Sequence, residues 1–245
     1  MTMRIIISPA KKMRVDSDSL RAEGTPIFNE RARELQGLLR SLGRDELRRV
    51  WACSDKLFSK AEGLLSYELE DASTPALIAY DGIQYQYMAP AVFSYDELEY
   101  VESHLRIISG FYGILRPLDR VIPYRLEMQS KFPGKGGLYA YWNDDIYKAL
   151  KDRSNVIVNL ASEEYAKAVR PYLDRSDTFI DVYFAERECG KLVEKGVYAK
   201  IARGEMVRFL SSIKAERAED MKDFSSSGYS FDPSLSSSDR YVFIR

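Results

Sequence analysis

The sequence predicts a mixed α/β (α+β) fold, in which residues 1–245 form a single compact domain with a central mixed sheet, surrounding helices and a helix-hairpin-helix-like element. Three observations predict it. The chain has 245 residues, 45% of them hydrophobic, enough to bury one large core. Two β-branched runs, Ile5-Ile6-Ile7 and Val156-Ile157-Val158, read as strands buried on both faces. The second passes through Asn159-Leu160-Ala161-Ser162 into a helical segment, the strand–loop–helix order of an α/β unit. No repeat with a period of roughly 20–50 residues is visible. The polar stretches 14–24 and 225–238 lie near the ends of the chain, so no linker divides it.

The elements follow in order. After the first strand, Ser8-Pro9 opens a loop carrying Ala10-Lys11-Lys12-Met13. Thr25 offers an N-cap and Pro26 a first helical residue for a helix to about Leu42, stopped by Gly43. Asp45 begins an amphipathic stretch through Trp51, and Ser54 caps a short helix at Asp55-Lys56-Leu57. Ala76-Leu77-Ile78-Ala79-Tyr80 reads as a strand reaching the Asp81-Gly82 turn. Ser94-Tyr95-Asp96-Glu97 has the form of a capping box, and Leu98, Val101, Leu105 and Ile108 then recur at helical spacing up to Gly110. A glycine-rich turn at 134–137 and aromatic residues 139–142 lead into a helix ending near Arg153. The helix after Ser162 stops before Pro171. Segments 179–185 and 192–197 flank Cys189-Gly190-Lys191 as a hairpin, 198–213 is a basic helix, 225–238 a loop and 241–244 a closing strand.

Composition removes whole classes of chemistry. Lys plus Arg number 36 against 37 acids, so any anion site must be a local patch. One histidine and two distant cysteines, Cys53 and Cys189, exclude His-rich metal sites, CxxC motifs and a disulfide framework. The pattern suits a reducing cytoplasm. No stretch approaches the roughly 20 apolar residues of a membrane span. No metal or cofactor is expected. His104 reads as a packing residue, and Asp144-Asp145 and Glu163-Glu164 as acids at helix starts.

Three constellations are left. Ser109-Gly110-Phe111-Tyr112-Gly113 joins a capped helix to a second apolar stretch through a Gly-apolar-aromatic-Gly turn, the form of a helix-hairpin-helix; Arg106 and Arg116 flank it. Glycines there let backbone N–H groups approach a phosphate without reading a base. A plain αα-corner is the alternative, and Pro117 forces any second helix to be abbreviated. Residues 195–217 hold six basic and two acidic residues, with Lys200, Arg203, Lys214 and Arg217 sharing one helix face. Gly204 in that helix suggests close approach of another group. Ser8-Pro9-Ala10-Lys11-Lys12 follows a buried strand, where α/β sheets place ligand loops, but it lacks the glycines of a Walker A motif. Tyr80, Tyr85, Tyr87, Tyr112, Tyr124 and Tyr165 are available to line a cleft.

These blocks, together with Pro123-Tyr124-Arg125-Leu126-Glu127-Met128, Asn159-Leu160-Ala161-Ser162-Glu163-Glu164-Tyr165, Ala202-Arg203-Gly204 and Gly228-Tyr229, are similar to the YaaA family of bacterial peroxide-stress proteins, from the first strand to the last. The resemblance implies a cytoplasmic protein that limits peroxide- and iron-dependent DNA damage. It also implies a helix-hairpin-helix and a basic cleft that bind duplex or branched DNA without sequence preference. Carried over by position, the DNA contacts are Arg106, Ser109 to Gly113, Arg116, Lys200, Arg203 and Gly204, and the cleft is Ser8, Lys11, Tyr124, Arg125, Asn159 and Ser162. An alternative is an enzyme acting on a flipped base or small anionic substrate in the Lys11/Arg125 cleft, with Lys11, Tyr124, Glu127 or Asn159 doing polar chemistry.

Overall fold

Ile5, Ile6 and Ile7 are completely buried, because their strand is hydrogen-bonded along both edges. The computed structural model describes residues 3–134, 136–151 and 154–245. Its strands are β1 (Arg4–Ile7), β2 (Thr74–Pro75), β3 (Leu105–Ser109), β4 (Gly113–Leu115), β5 (Arg120–Val121), β6 (Lys131–Phe132), β7 (Gly136–Gly137), β8 (Val156–Leu160), β9 (Thr178–Glu188), β10 (Lys191–Val193), β11 (Ser225–Ser226), β12 (Tyr229–Phe231) and β13 (Arg240–Ile244). Its α-helices are α1 (Asn29–Ser41), α2 (Arg44–Trp51), α3 (Asp55–Gly63), α4 (Ala76–Ala79), α5 (Ile83–Met88), α6 (Tyr95–His104), α7 (Leu138–Trp142), α8 (Asp145–Leu150), α9 (Glu163–Ala166) and α10 (Gly196–Ile213).

The main sheet runs β11-β12-β13-β9-β8-β1-β3-β4, with β10 paired to β9. Its centre, β13-β9-β8-β1-β3, is parallel, and β4 and β12 join it antiparallel. This is the central mixed sheet expected of an α+β domain. The chain leaves β1 towards β3 on one side, whereas it leaves β8 through α9 towards β9 on the other. The connections therefore part between β1 and β8, which opens a crevice at the carboxyl ends of those two strands. That is where open α/β sheets bind ligands.

Several local signals act as their chemistry requires. Ser94 Oγ accepts the Glu97 N–H at 3.3 Å while Glu97 Oε2 accepts the Ser94 N–H at 2.7 Å, a complete capping box for α6. Cys189 and Gly190, at φ 48° and 77°, supply the two positive φ angles of a tight β9–β10 hairpin.

The helix-hairpin-helix is not formed. α6 ends at His104, and the apolar residues Leu105, Ile107 and Ile108 continue as β3 beside β1; Gly113, at φ 72°, then starts β4. Ser109 to Gly113 is thus a β-turn, buried throughout. Leu105 and Ile108 fit a helical stripe and a strand equally well, and pairing with β1 decides between them. Residues 76–79 form one helical turn instead of the expected strand, since the Ala76 and Leu77 N–H groups bond to the carbonyls of Asp119 and Pro117. α1 begins at Asn29 because Thr25 Oγ1 serves Arg120 instead of capping. The expected loop 225–238 contributes β11 and β12 to the sheet. The expected helix end at Arg153 lies outside the described residues.

Candidate functional site

Ser8 and Ser162 begin the loops that leave β1 and β8, and they tie the two sides of the crevice together. Ser8 Oγ accepts the Ser162 N–H at 2.8 Å and lies 3.2 Å from Ser162 Oγ. A third wall comes from α5, whose Tyr85 hydroxyl donates to the Ser8 carbonyl at 2.9 Å. Gly82 lets the turn before α5 abut the Ser8 loop, because a Cβ there would stand 2.8 Å from Ala10 Cβ. The fourth wall is α10. It lies directly on α5 at Gly204, where a Cβ would fall 2.2 Å from the Gln84 carbonyl oxygen and 2.9 Å from the Met88 nitrogen. The close approach that Gly204 suggested is therefore to a neighbouring helix. Together the walls enclose about 460 Å³, lined by Ser8, Lys11, Lys12, Asp81, Tyr85, Ser162, Glu164, Tyr165, Lys200 and Arg203.

Charge is arranged in two tiers. On the rim, Lys11 is 64% exposed and sits 2.9 Å from Glu127 Oε2. Lys12 pairs with Asp81, and this contact holds the Asp81 carboxyl below its usual range. Lys200 is exposed and, among the described residues, makes no ion pair. Below the rim, Glu127 Oε1 lies 2.9 Å from Arg125 Nη2, with both side chains largely buried, so Glu127 is clamped between Lys11 and Arg125. Glu164 Oε1 accepts the Gln129 N–H at 3.2 Å. Burial pushes the Glu164 carboxyl up, and the nearby Glu127 charge adds to the shift. Arg203 is turned inward, pairs with Glu194 at 2.8 Å and is pushed down by burial. The cleft therefore combines exposed lysines at its entrance with the Glu164 carboxyl, Tyr85 and Tyr165 along its lining, while Glu127 and Arg125 stand behind Lys11 and outside the lining.

Other candidates from the sequence stand elsewhere. Tyr124 is buried behind the cleft, its hydroxyl 2.7 Å from that of Tyr80 and 2.6 Å from Ser109 Oγ; burial pushes it up to about 12. Asn159 donates to Asp181 at 2.7 Å and accepts the Ala161 N–H at 3.0 Å, which fixes the loop leading to Ser162. A Cβ at Gly110 would lie 2.6 Å from the Leu126 carbonyl oxygen, so this glycine lets the β3–β4 turn pass under the backbone that delivers Glu127. Trp142 locks the same turn by donating to the Gly110 carbonyl at 3.0 Å. Phe111 and Tyr112 pack against the Tyr124 ring. Arg106 caps α6 by donating to the Glu102 and Leu105 carbonyls, at the end of β3 away from the cleft. Arg116 organises its own turn through Asp119.

The basic stripe is broken as well. α10 stops at Ile213, Lys214 turns into the left-handed region and pairs with Asp96, and Arg217 pairs with Asp220. His104 stacks on Tyr100 with centroids 4.1 Å apart, its Nδ1 2.9 Å from the Tyr100 carbonyl. Asp144, Asp145 and Glu163 pair with Lys148, Arg31 and Arg170. Among the described residues no group of three His, Cys, Asp or Glu side chains is placed to hold a metal ion. Lys12, Asp81 and Glu164 are the site residues that sequence reasoning did not single out. The visible signals were the lysine pair after β1, the Asp-Gly turn and the second acid after Ser162.

Comparison with known proteins bears on the same residues. The family described as "Peroxide stress protein YaaA" matches residues 3–235. The chain belongs to the YaaA family of peroxide-stress proteins. It is 46% identical over 249 residues to a UPF0246 protein of Agathobacter rectalis, covering 99% of both chains. It is 46% identical over 246 residues to one of Desulfitobacterium hafniense, covering 99% of this chain and 98% of that one. One of Limosilactobacillus reuteri is likewise 46% identical, over 98% of both. The YaaA match takes in every wall of the cleft, from Ser8 to Arg203. Among the described residues of this family member no helix is long and apolar enough to cross a membrane.

Proposed function

We propose that this YaaA-family protein acts in the peroxide-stress response of the cytoplasm by binding duplex or branched DNA without sequence preference, limiting peroxide- and iron-dependent damage to it. In this reading the phosphates are gripped at the rim of the β1/β8 cleft and not by a hairpin. The observation that carries it is the set of three exposed lysines, Lys11, Lys12 and Lys200, the last without an ion pair among the described residues, around a crevice at the point where the sheet's connections part. Exposed lysines on flexible stems suit sequence-independent phosphate contacts, since they place charge without demanding a base edge. The buried turn at 109–113 offers DNA no comparable surface.

A second reading is an enzyme acting on a small anionic substrate in the same cleft. It is favoured by Glu164, a half-buried carboxyl lining the cleft whose proton affinity is raised by burial.

The test is binding of fluorescent duplex and four-way-junction DNA across a salt series, comparing wild type with Lys200→Glu and Arg116→Glu. Lys200→Glu is expected to weaken binding to all sequences alike and to reduce the slope of log affinity against log salt by about 1. Arg116→Glu is expected to leave both unchanged. The opposite pattern would move DNA to the hairpin side of the molecule.

A further inference from the structure

We infer that the β1/β8 cleft receives a single nucleotide unit, with its phosphate on the Lys11, Lys12 and Lys200 rim and a polar edge of its base hydrogen-bonded to the Glu164 carboxyl. This rests on the reading of the rim as a phosphate site and goes beyond it, because a rim alone needs no interior.

Size comes first. At about 460 Å³ the cavity falls within the range of small-ligand sites, roughly 300–1,000 Å³, and is far too small to admit a duplex. DNA lying across the rim reaches the floor only if one nucleotide leaves the stack. A free nucleotide presents the same phosphate and base, and would enter the same way.

The largely apolar interior also presents a carboxyl, Glu164, for which a phosphate-only site would have no use. Glu164 uses one carboxyl oxygen on the Gln129 N–H and lines the cavity. Its neighbours from the 127–129 segment are the Glu127 charge, which raises its proton affinity, and the Met128 and Gln129 amides, which lower it. Lys11 lowers it from the loop after β1. From α7, Tyr139 donates to the Glu164 carbonyl at 2.9 Å. Across the cavity stand Lys12 with Asp81, Lys200, and Arg203, the last already paired with Glu194. Burial is the largest influence and favours the neutral acid. A neutral Glu164 can donate to a ring nitrogen or carbonyl of a base, whereas an ionised one repels the incoming phosphate. With the neutral acid as the donor, affinity falls as pH rises through the Glu164 titration. Tyr85 and Tyr165 flank the floor, and Tyr85 is fixed by its bond to Ser8.

Two probes test this: dGMP in a calorimetric titration, and an oligonucleotide containing 2-aminopurine, whose fluorescence rises when the base unstacks. Saturable dGMP binding together with a 2-aminopurine rise would identify an extruded nucleotide as the ligand. Saturable dGMP binding without the rise would identify a free one. In either case affinity is expected to fall with rising pH by up to about tenfold per unit, and Glu164→Gln is expected to abolish that slope. Salt-sensitive DNA binding with neither dGMP binding nor a fluorescence rise would overturn the inference and leave the rim reading intact. Loss of both DNA and dGMP binding in the wild type would overturn the two together.

Discussion

Replacing Gly204 by alanine tests the architecture that closes the cleft, because two opposed effects of different size meet at one position. In an exposed helix the change stabilises by about 1 kcal/mol, as alanine is the better helix former. Here the added methyl would sit 2.2 Å from the Gln84 carbonyl oxygen and 2.9 Å from the Met88 nitrogen. Both are backbone atoms of α5, so no side chain can swing away. The two helices must separate by roughly 1 Å, an overpacking that costs about 1–3 kcal/mol. The net expectation is a loss of up to about 2 kcal/mol, or a fall in Tm of up to about 8 °C for a domain of this size. Gly37 in α1 is the control, since a Cβ there meets nothing within 4 Å; Gly37→Ala should raise Tm by about 1–4 °C. Thermal melts followed by circular dichroism read both. If Gly204→Ala raises Tm as Gly37→Ala does, the contact between α10 and α5 is not as close as described, and the fourth wall of the cleft is wrong.

The remaining predictions concern charge and capping. Glu127→Ala strands the largely buried Arg125 and should cost about 3 kcal/mol in chemical denaturation, whereas Lys11→Ala, on the exposed side of the same carboxylate, should cost less than about 1 kcal/mol; equal costs would contradict the clamp. Ser94→Ala should cost about 1 kcal/mol by removing the cap of α6, and an unchanged denaturation midpoint would show the capping box to be idle. His104 is the only histidine, so its ring protons give a single pair of histidine NMR signals. Burial lowers its proton affinity against the opposing pull of the Tyr100 carbonyl and Glu216. Its titration should fall below the ordinary value of 6.5. The stability it contributes is then fully present above that value and is lost as pH falls through the folded-state titration. A midpoint at or above 6.5 would place the ring in water.

Much of the sheet was legible because its strands carry unambiguous residues. Ile5 to Ile7 and Val156 to Val158 are β-branched, and Cys189-Gly190 accepts the positive φ angles of a hairpin. Two of the misreadings share one cause. At residues 76–79 and 105–109 the apolar run is short and buried on every side, so neither a helical nor an alternating pattern is left in it, and tertiary partners decide. The Gly-apolar-aromatic-Gly pattern at 110–113 reads as letting backbone approach a phosphate, whereas Gly110 lies against the backbone of Leu126 to Met128 of the same chain. Likewise Lys200 and Arg203 lie one turn apart on α10 and look alike in sequence. Only the fold shows that Arg203 is occupied by Glu194 while Lys200 is left for the cleft. Ser8 and Lys11 are candidates because ligand loops follow parallel strands, and Ser162 through the family resemblance; Glu164 reads as a helix-start acid, since its contact with Gln129 has no local signature.

The central claim is that nucleic acid seats on the rim of the β1/β8 cleft. Lysine-reactive footprinting read by mass spectrometry, with and without saturating duplex DNA, tests it most directly. Protection of Lys11, Lys12 and Lys200 with continued reactivity of Lys56, Lys60 and Lys214 is the expected result. Unprotected cleft lysines under conditions where DNA is bound would contradict it.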